Sequence, residues 1–395
     1  MIDSVNIKNF KSIEDLTFDL GRINVIIGAN GSGKTNILEA IVMGAAASSN
    51  KLDYEFLGNR MRVTSPDFMK NAFENLNKEE IQLGFKIKDY DYEYVIREDI
   101  EKKEKWVEKN RNNANSNIIK IGQEESTLEE IIDLISDEDF KASLKELKKV
   151  FEDKKLNLES LVKLSAMKYF EVKQNAPELN NFLIYTPEYS FLRKFEESAQ
   201  IIPIGIKGEG LFHTLKQIIL DETKKEQLED IKESLRLLDW FEDFELPNNL
   251  MSNEFKIGIK DKYINQTLNF FDQRSANEGF LYLLFYLVLF TSDQTPKFFA
   301  IDNIETGFNP KLCTELIKIL NKLAIKYDKQ VIFTTHNPAI LDGLDLKDDM
   351  QRLFITDRNK KGATYIERIE SKPQSKMKLS ELWTNGIIGG IPDNF

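Results

Sequence analysis

The chain is poor in the residues that many chemistries need. It has one cysteine, Cys313, and two histidines, His213 and His336, among 395 residues. A single thiol excludes an internal disulfide framework and a Cys-x-x-Cys metal hook, since each takes two thiolates from one chain. A reducing cytoplasm is the expected home. Positive charge is in deficit too: 54 Lys and Arg against 65 Asp and Glu leave a net charge of −11. The average surface therefore repels nucleic acid, and DNA is a partner only through a local basic groove. The opening MIDSVNIKNFKS lacks the apolar core of a signal peptide. The longest apolar run, Phe280 to Phe290, is too short to cross a bilayer and reads as a buried helix. No membrane association is expected.

What is present is an apolar fraction of 41% beside 30% charged residues, the balance of a globular chain with a sizeable core. Alternating strands near Ile2–Ile7 and Leu16–Leu20 lead to an unbroken apolar run, Ile23–Ile27. That run is too short for a helix and meets glycines at once, so it reads as a buried strand. A helix follows from Lys34 through Ile37, Leu38 and Ile41, and Ile81–Ile87 with Tyr92–Ile96 reads as a hairpin. Residues 1–98 form an expected N-terminal lobe. From about Ile100 the chain turns charged and asparagine-rich, and then Leu128, Ile131, Ile132, Ile135, Leu144, Leu147 and Phe151 recur at helical spacing. Residues 99–249 are expected to be a mainly helical lid insertion. Within it, Phe182–Tyr185 is a strand-like return to the lobe, and Leu211–Phe241 is a second helical stretch. Residues 250–395, a C-terminal lobe, read as α/β again.

Gly28-Ala29-Asn30-Gly31-Ser32-Gly33-Lys34-Thr35, with Asn36 next, fits G-x-x-x-x-G-K-[ST] between that strand and that helix. Its glycines let backbone N–H groups turn inward around phosphate, aided by the positive end of the helix. Lys34 would neutralise the β- and γ-phosphates, and the Thr35 hydroxyl would bind Mg²⁺. Farther on, Phe298–Ile301 is an apolar strand tipped by Asp302, where a second Mg²⁺ ligand must sit. Val331–Thr334 is another, followed by Thr335-His336-Asn337-Pro338, and a histidine there suits contact with a γ-phosphate or its attacking water. Ser275-Ala276-Asn277-Glu278-Gly279 opens the apolar Phe280–Phe290 helix. It is either a plain cap or a second anion-binding turn.

INVIIGANGSGKTNILEAI, FFAIDNIETGFNP, VIFTTHNP and the looser Ser275–Gly279 turn together resemble the AAA-family ATPases of the RecF/SMC/OLD branch of ABC proteins. The resemblance covers roughly residues 1–50 and 265–345. It implies an α/β fold, an ABC-type P-loop ATPase head with a mixed sheet and a helical lid. It implies ATP and Mg²⁺ sandwiched between two heads, each P-loop facing the partner's Ser275–Gly279 turn. Lys11 is implied as a further nucleotide contact. Several such ATPases act in bacterial anti-phage systems beside a separately encoded effector, whereas others repair DNA. Two departures stand out. The residue after the strand-tip aspartate, a catalytic glutamate in most relatives, is Asn303, with Glu305 two residues on; and Gln82 is only a weak match to the group's Q-loop glutamine. A Toprim nuclease domain is not expected, because the 59 residues after His336 (395 − 336) contain no Asp-x-Asp. The tail from Leu382 to Phe395 is expected either to pack on its own head or to dock a partner.

Overall fold

The computed structural model describes residues 1–62, 66–71, 80–98, 106–108, 176, 178–194, 203–245, 257–264, 271–371 and 377–391. The N-terminal strands obey a period of two. In β1 (Ser4–Phe10), β2 (Ile13–Asp19), β4 (Glu80–Ile87) and β5 (Tyr90–Glu98), alternate residues such as Val5, Ile7, Ile81, Leu83 and Phe85 are buried. With β6 (Trp106–Glu108) they form an antiparallel sheet in the order β2-β1-β4-β5-β6. The strand β3 (Ile23–Ile27) is instead buried at every position, as a central parallel strand must be.

That strand lies in a second sheet with β7 (Ile184–Tyr185), β11 (Phe298–Ile301), β12 (Gln330–Thr334), β13 (Gln351–Arg358) and β14 (Thr364–Ile369), in the order β14-β13-β3-β12-β11-β7. All its pairings are parallel except β13 with β14. Between the two sheets runs helix α1 (Lys34–Ser48), buried almost all round because both of its sides meet a sheet. The other face of the parallel sheet is covered by four helices: α2 (Leu211–Leu220), α3 (Lys225–Leu235), α4 (Glu278–Thr291) and α5 (Pro310–Lys326). Here Tyr185 meets Phe285 and Phe299 edge-on, each at 5.8 Å between ring centres. Each such side chain contributes roughly 1.5–3 kcal/mol by leaving water.

The helices expected over Leu128–Leu164 lie outside the described residues. The described part of 99–249 is not wholly helical. β6 extends the antiparallel sheet and β7 pairs with β11, as the Phe182–Tyr185 run suggested. The expected Leu211–Phe241 helical stretch consists of α2 and α3, which meet at Asp221, whose carboxylate accepts the Thr223 N–H at 2.9 Å, and it gives way to β8 (Phe241–Glu245). β8 joins β9 (Gly258–Asp261) and β10 (Phe271–Asp272) in a small antiparallel sheet. The tail folds back on its own chain. Trp383, in the short helix α6 (Leu379–Thr384), is 7% exposed and belongs to the same core as Ile355, with Ile388 and Ile391 packed alongside.

Candidate functional site

Because β3, β11, β12 and β13 run parallel, their C-terminal ends open on one edge of the sheet, where ligands of open α/β sheets bind. The loop after β3 occupies that edge with Gly28, Gly31 and Gly33 at φ of 149°, 79° and 109°. A Cβ on Gly28 would stand 2.2 Å from the Thr356 carbonyl, and one on Gly33 would stand 2.2 Å from Thr364 Oγ1. Only glycine fits either place.

The β13–β14 hairpin straps the loop from behind. Ser32 and Thr356 hydroxyls are 2.8 Å apart, Thr364 Oγ1 donates to the Ser32 carbonyl at 3.0 Å, and Arg358 Nε donates to the Gly31 carbonyl at 2.7 Å. Asn36, just inside α1, donates at 2.7 Å to the Ser12 hydroxyl, which itself meets Thr364. The loop's shape is thus held by its neighbours before any ligand arrives.

Lys34 is folded onto this loop, its ammonium donating to the Gly28 and Ala29 carbonyls at 2.8 and 3.1 Å. Burial pushes its pKa down to about 8, against the opposing pull of Asp302 and Glu305. Asp302, at the tip of β11, accepts a hydrogen bond from Thr334 Oγ1 on β12, and Thr334 in turn accepts the Asn303 N–H at 2.9 Å. Asn303 stands exposed at φ 59°, a left-handed turn that asparagine tolerates better than most residues. His336 follows β12, and its N–H donates to Glu305 Oε1 at 2.9 Å. Burial and the nearby Lys34 charge hold the imidazole pKa below its usual value, despite Glu305 and Asp302.

These residues converge. A cleft of about 290 Å³ is lined by Asn30, Gly31, Gly33, Lys34, Thr35 and Asn36 on one side and by Asp302, Asn303 and His336 on the other. Arg62 and Arg358 line it as well, and neither carries a local sequence signal. Arg358 reaches it only because β13 pairs with β3. A larger cavity of about 1030 Å³, bounded in part by Lys51, Arg60 and Lys297, lies at the other end of α1 and holds none of the motif residues. The chemistry, not the volume, selects the smaller cleft.

Other expected residues lie elsewhere. Glu305 is behind His336, with its buried Oε2 lacking a partner among the described residues. Lys11, in the β1–β2 turn, is bound to Glu39 at 2.7 Å and does not line the cleft. Ser275, Asn277, Glu278 and Gly279 sit at the start of α4, away from their own chain's cleft. Ser275, Asn277 and Glu278 are exposed, and Asn277 Oδ1 caps the helix by accepting the Phe280 N–H at 2.9 Å. Gln82 points to solvent from β4.

The cleft suits magnesium nucleotide. Hard oxygen donors, the Thr35 hydroxyl and the Asp302 carboxylate, share it with a lysine and a glycine cradle. Residues 23–342 match the family described as "AAA domain, putative AbiEii toxin, Type IV TA system". Among curated proteins, the DNA replication and repair protein RecF of Bacillus cytotoxicus is 43% identical over 51 residues, 13% of this chain and 14% of that one. The OLD nuclease of Thermus scotoductus is 46% identical over 41 residues, 10% of this chain and 8% of that one. The matched stretches are thus a small part of each relative. Among solved structures, an Smc head bound to the C-winged helix domain of ScpA aligns over 93% of this chain and 98% of that one, with a TM-score of 0.53 and 13% identity. The shared fold is that of an ABC-type ATPase head.

Proposed function

The chain belongs to the AAA-domain family that its residues 23–342 match, and from that premise we propose that it binds Mg-ATP in the 290 Å³ cleft and hydrolyses it slowly as a head that closes on a second copy. The observation that carries this reading is the convergence of Lys34, Thr35, Asp302 and His336, drawn from three separated strand ends, on one cleft. Mg²⁺, when bound, would supply charge neutralisation at the phosphates. Thr35 and Asp302 would hold it, and Lys34 would exchange its loop carbonyls for phosphate oxygens. His336, kept largely neutral, orients the attacking water or the γ-phosphate, with Glu305 fixing its backbone. Arg62 and Arg358 add positive charge at the cleft's rim.

Closure on a second head is supported by the Ser275–Gly279 turn. It presents a helix N-terminus to solvent and is not part of its own chain's cleft. In a head-to-head dimer the turn of one copy would meet the γ-phosphate held by the other. A partner protein is the natural reader of such a closure. The ScpA domain on the Smc head favours a separately encoded partner, and the resemblance of the motif blocks makes that partner an effector in anti-phage defence within the cytoplasm. Asn303 favours a second reading, an ATP-sensing scaffold that scarcely turns over. A RecF-like role at DNA rests on the short RecF match and runs against the charge of −11.

Light scattering with and without a non-hydrolysable ATP analogue tests the dimer. The analogue should double the mass of the wild type and leave Ser275→Arg monomeric, with nucleotide affinity per head little changed. A Ser275→Arg protein that dimerises like the wild type removes the turn from the interface.

A further inference from the structure

Glu39 is 1% exposed in the middle of α1, and a buried carboxylate is costly unless it is fully paired. Here it is paired to excess. Its Oε2 accepts from Lys11 Nζ at 2.7 Å and from Arg62 Nη2 at 3.3 Å, and its Oε1 accepts the Arg62 N–H at 3.0 Å and Nε at 2.8 Å. Lys11 alone would neutralise it. Its side chain is only 12% exposed, and its ammonium is also held by the Arg62 carbonyl at 3.0 Å. The arginine is therefore a surplus charge. Its side chain is 68% exposed, yet Nε and Nη2 tie the guanidinium to Glu39, and the backbone N–H adds a third bond to the same carboxylate. The carboxylate end of this pair is buried and already neutralised by Lys11, whereas the arginine end is exposed and gives up side-chain freedom, so a second cation there adds little stability. What the tether does accomplish is placement. Glu39 lies four residues after Thr35, on the same helix face, and Arg62 and Thr35 line the same cleft. With Nε and Nη2 turned to Glu39, Nη1 has no partner among the described residues.

We propose that Glu39 is a positioning residue that holds the Arg62 guanidinium against the phosphates of Mg-ATP, and that Lys11 serves as the counter-charge of Glu39 instead of touching nucleotide. This rests on the cleft being the ATP site. The two positive groups and one carboxylate leave a net single charge, and the tether delivers it at the cleft.

The test is titration of Mg-ATP into the wild type, Arg62→Ala, Arg62→Lys, Glu39→Gln and the Glu39→Gln/Arg62→Ala double variant, with Lys34→Ala as the control for the site and a melting curve for each. Arg62→Ala and Glu39→Gln should each weaken binding about tenfold, the worth of one charge-assisted hydrogen bond. The double variant should bind no more weakly than Arg62→Ala, because Glu39 acts only through the arginine. A merely structural Glu39 would lower the melting temperature and leave that affinity cycle additive. Should Glu39→Gln not fold, Arg62→Lys decides. It keeps the charge but loses the fork, so weakened binding supports the proposal and wild-type affinity overturns it. If Arg62→Ala binds like the wild type while Lys34→Ala does not, the tether is not a nucleotide device and the ATP site stands. If Lys34→Ala also binds normally, both readings fall.

Discussion

Replacing Asn303 with glutamate should quicken ATP turnover, and the structure sets what the exchange can gain and lose. Asn303 lines the cleft beside Asp302, but an amide cannot take a proton from water at neutral pH. General-base assistance is typically worth about 10²–10⁴ in rate, or roughly 3–5 kcal/mol of barrier. Against that stands the backbone. Asn303 sits at φ 59°, which costs a residue without asparagine's tolerance roughly 1 kcal/mol of folded-state stability. The anchoring bond to Thr334 comes from the backbone N–H and survives the change. Allowing for an imperfect angle of attack, a rise in kcat of at least about tenfold is expected, an order of magnitude below the low end of that range. The Mg-ATP Kd should barely move, since the effect is confined to the transition state. Steady-state phosphate release, measured beside nucleotide affinity, reads both. A wild type that already turns over at several per second, and an Asn303→Glu variant that matches it, would place the base elsewhere and end the slow-switch account.

Two further outcomes follow from the geometry. Lys34 has its pKa lowered from 10.5 to about 8 in the free cleft, and phosphate binds its charged form. Affinity for Mg-ATP should therefore be flat below pH 8 and fall as pH rises through it, by up to about tenfold per pH unit, with proton uptake on binding in titration calorimetry. The unfolded chain holds that proton to higher pH, so Lys34's share of stability moves the opposite way and increases between pH 8 and 10.5. Trp383, buried by its own chain, should cost about 3 kcal/mol on change to alanine, read as a lower midpoint in denaturant. An unchanged midpoint would mean that the tail is held only loosely.

The parts of the site that were legible in the chain are the contiguous ones. Gly28 to Thr35 carries its own turn chemistry, and an apolar run ending in Asp302 or leading to His336 marks a strand tip without knowledge of its neighbours. What stayed hidden depends on pairings over long separations. Arg358 and Thr356 meet the loop because β13 runs parallel to β3, some three hundred residues away in sequence. Arg62 is aimed by Glu39, and nothing in a line of residues says that this helix glutamate is buried or that it claims Lys11 as well. The break at Asp221 and the strand at Phe241 were masked for another reason. The apolar spacing suits one unbroken helix, whereas the Asp221 carboxylate caps a new turn at Thr223 and the pairing of β8 with β9 makes Phe241 a strand residue.

The central claim is that the cleft between the β3 loop and the tips of β11 and β12 binds Mg-ATP through Lys34. Titration calorimetry of Mg-ATP into the wild type and into a Lys34→Ala protein with a native melting curve addresses it directly. The account predicts one site per chain in the wild type and an affinity lower by at least about a hundredfold in the variant, the loss of a desolvated charge-assisted contact. Equal affinity in the two proteins, or no binding to the wild type, would contradict it.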